Sequence, residues 1–127
     1  MKRLVLPIPP SVNHSHRNIK QGKRLMRVKT EEAKQFLHDA HWLAFEWMQT
    51  TGWEVPEAGE KIILRYWVYW KNNQRRDTDN IAKLLQDSLT DVLYVDDRYV
   101  LPQAMDYSVD KQNPRLEIEL EVKKEPE

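Results

Sequence analysis

The chain has 127 residues, 40% of them apolar and 31% charged, with 20 basic and 20 acidic side chains and no cysteine. That length suits a single domain, residues 1–127, with a core of its own, and the lack of cysteine excludes disulfides, thiolate zinc sites and thiol nucleophiles. No apolar run approaches the roughly 20 residues that span a bilayer, and the amino terminus is too short and proline-broken for a signal peptide, so a cytoplasmic protein without membrane contact is expected.

Charge is unevenly distributed. Residues 1–29 hold 8 basic and no acidic side chains, while residues 30–127 hold 12 basic against 20 acidic. A basic arm on an acidic body can hold phosphates through counterion release although the whole chain is neutral; solvated charge runs without function are also common.

In chain order, Lys2 to Ile8 reads as a short strand stopped by Pro7, Pro9 and Pro10, since proline removes a ladder donor and forbids helix. Ser11 to Lys29 reads as a polar, basic, mobile loop with Gly22 near its middle, closer to a flap than to a core element; its residues 14–29 are a candidate DNA-binding loop. The candidate phosphate contacts are Arg17, Lys20, Lys23, Arg24 and Arg27, together with Arg75 and Arg76 further on.

Thr30 can cap a helix whose apolar residues Ala33, Phe36, Leu37, Ala40, Ala44, Trp47 and Met48 share one face, and Gly52 can stop it. His38 and His41 read as surface or boundary residues, because no third nitrogen or sulfur ligand accompanies them. Lys61 to Trp70 alternates Ile62, Leu64, Tyr66, Val68 and Trp70 against Ile63, Arg65, Trp67 and Tyr69. With both faces largely apolar, this strand belongs at the centre of a sheet or at a subunit contact. A second helix is expected from about Asp79 to Thr90 over Ile81, Leu84, Leu85 and Leu89, followed by a turn, a strand from Tyr99 to Val109 and a last strand through Leu116, Ile118, Leu120 and Val122. The tail from Lys123 reads as disordered. The expected fold is α+β, a small mixed β-sheet with two helices in the order β-α-β-α-β-β.

The chemistry concentrates in residues 75–98. Asp77 and Asp79 stand two apart at a strand-to-helix junction, where extended backbone would aim both side chains to one side; ordinary helix capping explains such a pair equally well. Lys83 and Asp87 continue at four-residue spacing along the helix, either as a surface ion-pair ladder or as a lysine facing a phosphate and held by Asp87. Of the adjacent Asp96 and Asp97, one can join Asp77 and Asp79, and spacing does not say which; the other would support it from outside. Three carboxylates so assembled suit a hard cation such as Mg2+, and the nearby arginines suit a phosphodiester.

Pro9-Pro10-Ser11-Val12-Asn13, then Arg76-Asp77-Thr78-Asp79-Asn80-Ile81-Ala82-Lys83, then Asp87-Ser88-Leu89 with Asp96-Asp97-Arg98 about ten residues on, resemble the RusA-type Holliday-junction resolvases over nearly the whole chain. The resemblance implies a homodimeric endodeoxyribonuclease of DNA recombination and repair. It would bind four-way junctions and nick two opposing strands symmetrically with Mg2+, or Mn2+ in its place, and with no small-molecule cofactor. It also implies Asp77, Asp79 and Asp97 as metal-binding catalytic carboxylates and Lys83 as the catalytic lysine; that leaves Asp96, Asp87 and Asn80 as candidate outer supports, and Asn13, in the matching proline segment, as a candidate DNA contact. Two departures stand out: His14-Ser15-His16-Arg17 occupies the place of an aromatic pair, and the chain is neutral where the family is commonly basic. Weaker or more salt-sensitive binding through the basic arm is therefore expected. The rival readings are a junction-binding module without catalysis and a less structure-selective nuclease.

Overall fold

The computed structural model describes residues 2–10, 16–22, 24–73 and 78–124. Strand β1 (Leu4–Leu6) is followed by a hairpin of β2 (His16–Gln21) and β3 (Arg24–Lys29), helix α1 (Glu31–Thr51) and strand β4 (Lys61–Trp70). A 3-10 turn (Thr78–Ile81) then runs into helix α2 (Ala82–Leu89), a second 3-10 turn (Asp97–Tyr99), β5 (Val100–Val109) and β6 (Arg115–Lys123). The main sheet has the order β1-β6-β4-β5, with β4 parallel to β5 and antiparallel to β6, so the fold is α+β with a mixed sheet and two helices. Among the described residues no helix is long and apolar enough to cross a membrane.

Helix α1 begins and ends where its sequence dictates. Thr30 stays extended and its Oγ1 accepts from the Ala33 N–H at 3.3 Å, while Glu31 and Glu32 oppose the positive end of the helix dipole. At the other end Gly52 takes φ 75° and its N–H donates to the Met48 carbonyl at 2.9 Å. The buried stripe combines small and large side chains, with Ala33 before Phe36, and Ala40 and Ala44 between Phe36 and Trp47. The Trp47 Nε1 donates to the Lys2 carbonyl at 2.8 Å and so ties the helix to the start of β1.

Strand β4 is central. Its residues Leu64, Tyr66 and Val68 lie beside Leu120, Ile118 and Leu116 of β6, and Leu4 and Leu6 of β1 extend the same rows. All are buried, and with the apolar faces of α1 and α2 they make one core. Full burial of each such side chain contributes roughly 1.5–3 kcal/mol. The other face of β4 is held differently. Arg3 lies over the Trp67 ring at 3.6 Å and pairs with Glu117 and Glu119, Arg115 lies over Tyr69 at 3.9 Å and pairs with Asp110 and Glu117, and Arg65 pairs with Glu121. The apolar character of Trp67 and Tyr69 is thus covered by stacked guanidinium groups.

Three expectations need correction. The segment Ser11 to Lys29 is not loop throughout: residues 16–21 and 24–29 pair antiparallel as a separate two-stranded sheet, with Gly22 turning at φ 63°. The element order therefore gains a hairpin between the first strand and the first helix. Lys123 does not start a tail but closes β6 opposite Lys61, because the ladder with β4 runs one residue beyond the last apolar position. Asp79 sits in a 3-10 turn rather than on extended backbone, so the two-residue period does not set its direction.

Candidate active site

The candidate site occupies the crossover between the parallel strands β4 and β5. Its entrance is pinned from the sheet, where the Tyr66 hydroxyl donates to the Thr78 carbonyl at 3.3 Å and Ile81 is buried at the start of α2. Leu84, Leu85 and Leu89 turn inward, which sends Lys83 and Asp87 to the outer face one turn apart. Beyond Leu89 the chain reverses sharply: Val92 and Leu93 donate to the Leu89 carbonyl, and Asp91 adopts φ 70°, a left-handed conformation that aspartate tolerates better than most residues.

That reversal returns the acidic pair to the helix. The Lys83 ammonium lies 3.6 Å from an Asp87 oxygen and 3.7 Å from an Asp97 oxygen, bridging helix and returning segment. Asp96 is engaged otherwise, since its Oδ1 accepts from the Arg98 N–H at 3.0 Å and caps the second 3-10 turn. Adjacent carboxylates thus part company through backbone geometry: one satisfies the turn, the other faces the lysine. The side chains of Asp87 and Asp97 are about one third exposed and that of Lys83 three quarters, so all three are open to solvent.

Of the remaining candidates, Asn13, Lys23, Arg75, Arg76 and Asp77 lie outside the described residues. For Asp79, Asn80, Arg24 and Arg27 the structure describes the backbone: the first two in the 3-10 turn entering α2, the last two on β3. Arg17 and Lys20 are on β2, exposed to solvent, in the hairpin apart from the main sheet. Among the described residues no three carboxylates or histidines gather as a metal-holding group; of the three expected carboxylates, only the side chain of Asp97 belongs to that set. The donor chemistry nonetheless suits a hard cation, because Asp97 and Asp87 offer carboxylate oxygens and, among the described residues, no histidine joins them in a metal-holding group.

Two aromatic side chains whose hydrogen bonds the sequence did not reveal lie near the acidic segment. Tyr94 is 1% exposed, and its hydroxyl donates to the Gln86 carbonyl at 2.7 Å. Burial pushes that phenol well above its ordinary pKa; a neighbouring Thr90 hydroxyl opposes the shift, and the charges of Asp97 and Asp87 reinforce it. Trp53, after α1, donates its Nε1 to the Leu93 carbonyl at 2.9 Å. The only sequence signal was an aromatic in the apolar run Val92-Leu93-Tyr94 before the acidic pair, which reads as core.

Carboxylate oxygens beside a solvent-exposed lysine are side chains of the kinds that metal-assisted phosphodiester chemistry uses. The family model for endodeoxyribonuclease RusA matches residues 7–121, and the chain belongs to that family. No curated protein matches it.

Proposed function

We propose that this chain is a structure-selective endodeoxyribonuclease that resolves four-way DNA junctions in recombination and repair. It would cut two opposing strands by metal-dependent hydrolysis to leave 5′-phosphate and 3′-hydroxyl ends. The observation that carries the reading is the placement of Lys83 between Asp87 and Asp97 at the crossover of an endodeoxyribonuclease-family domain.

Asp77, Asp79 and Asp97 would hold Mg2+ or Mn2+, which supplies a water of lowered pKa and charge for the phosphate oxygens. The chain's own work is orientation. Asp87 restrains the Lys83 stem from one turn further along α2, so the ammonium is aimed over Asp97 at an oxygen that gains negative charge as the P–O bond breaks. The basic hairpin, with Arg17 and Lys20, carries the phosphate contacts of the junction arms; Lys23, Arg24, Arg27, Arg75 and Arg76 complete that set by their charge and Asn13 by resemblance.

A homodimer follows from the substrate, because two equivalent strands call for two sites related by a two-fold axis. Strand β5 offers a surface for it. It is a sheet edge, every residue from Leu101 to Val109 is exposed, and Asp106 is its sole acidic or basic side chain. Long edges without lysine are open to pairing with another chain.

The reading is tested with a labelled four-way junction and its matched linear duplex, in Mg2+ or EDTA, beside Asp79→Asn. Paired, ligatable nicks confined to the junction, lost in EDTA and in the variant while binding persists, are the expected result. Binding without nicking in either metal replaces the reading with a junction-binding module; equal cutting of both substrates replaces it with a general nuclease.

A further inference from the structure

We infer that Tyr94 is a positioning residue of the active site, whose hydroxyl sets the spacing of Asp97 against Lys83 and Asp87. The inference rests on the proposed nuclease site and names a group that the family resemblance does not assign.

The carbonyl that accepts the Tyr94 hydroxyl belongs to Gln86, so it is part of the peptide unit whose nitrogen is that of Asp87. The same carbonyl also accepts the Thr90 N–H at 3.2 Å and the Thr90 hydroxyl at 2.9 Å, which fixes the last turn of α2 at that point. The Tyr94 backbone is tied as well, since its carbonyl accepts from the Asp91 N–H at 2.8 Å and Thr90 and Tyr94 form an isolated parallel bridge. Three residues later the chain reaches Asp97, opposite Lys83. The phenol is therefore a short strut between the backbone that carries Asp87 and the segment that delivers Asp97. Trp53 donates to the neighbouring Leu93 carbonyl, and its hydrogen bonds among the described residues involve neither Lys83, Asp87 nor Asp97.

A strut of this kind acts on ligand geometry rather than on DNA affinity, and loss of such outer hydrogen bonds typically weakens metal affinity or activity about 10- to 100-fold. The test titrates Mn2+ by calorimetry into metal-free wild type, Tyr94→Phe, Trp53→Phe and Asp97→Asn, with junction affinity in EDTA and the thermal midpoint measured on each. Tyr94→Phe is expected to weaken Mn2+ binding by about 10-fold or more and leave junction affinity within twofold, whereas Trp53→Phe lowers the thermal midpoint and leaves Mn2+ affinity unchanged. Replacing Tyr94 by 4-aminophenylalanine, which keeps a donor at the same place, should restore metal affinity. This rescue also decides the matter if Tyr94→Phe does not fold, because an affinity well below wild type in a folded rescue variant overturns the inference. Mn2+ binding that Asp97→Asn weakens and Tyr94→Phe does not overturns the inference alone. Binding that Asp97→Asn leaves intact, or no binding to wild type, overturns the proposed site and the inference with it.

Discussion

Asp96 and Asp97 are neighbours in sequence with separate engagements, one with the Arg98 N–H and the other with the Lys83 ammonium. Their substitutions should therefore separate stability from chemistry. Asp96→Ala removes a cap and should cost about 0.5–1 kcal/mol in urea unfolding while junction nicking stays within a few-fold. Asp97→Asn should lower single-turnover nicking by about 100-fold or more with little loss of stability, and Lys83→Ala should do likewise with junction binding intact. A nicking defect in Asp96→Ala as deep as that in Asp97→Asn would reverse the assignment. In the residues alone this division was invisible, since the backbone φ of −149° at Asp96, which aims its carboxylate at the turn, leaves no trace in composition or spacing.

Helix α1 carries its own signals: a threonine cap, acidic first turn, one apolar stripe and a terminal glycine. A built Cβ on Gly52 meets nothing within 4 Å, so Gly52→Ala should cost about 1 kcal/mol through its φ of 75° alone, with no packing defect, as equilibrium unfolding would show. The same kind of signal made α2 and the alternation of β4 readable, because a buried face imposes a period on the sequence. Strands β2 and β3 pair with each other apart from the main sheet among the described residues, and their sequences Arg17-Asn18-Ile19-Lys20 and Arg24-Leu25-Met26-Arg27-Val28 keep no clean alternation, so the hairpin read as loop. Gly22, at φ 63° in the turn, was the one available pointer. Strand β5 was readable as a strand but not as an edge, since exposure on both faces depends on where the sheet ends.

At the scale of the whole molecule, the two edges of the main sheet differ. Strand β1 has three residues, whereas β5 has ten, with Tyr107 and Met105 among its most exposed side chains. If copies join through β5, Tyr107→Lys should shift sedimentation from dimer toward monomer and uncouple the two nicks, without altering the circular dichroism of the fold. An unchanged dimer would move the interface elsewhere. The register shift that leaves Met105 as the extra residue between Ala104 and Asp106 bends this edge locally and sets the twist with which a second copy would meet it. The crossover itself bears on how the protein is made. The candidate catalytic carboxylates and lysine all fall between Asp77 and Asp97, before the first residue of β5, and a parallel pair closes only after its whole connection has been synthesised. A nascent chain leaving the ribosome therefore displays the complete set of reactive side chains while both strands that flank β4 are still missing. On the proposed function, a chain ending before β5 carries every candidate residue yet is expected to leave DNA uncut, because the sheet that supports the crossover is incomplete.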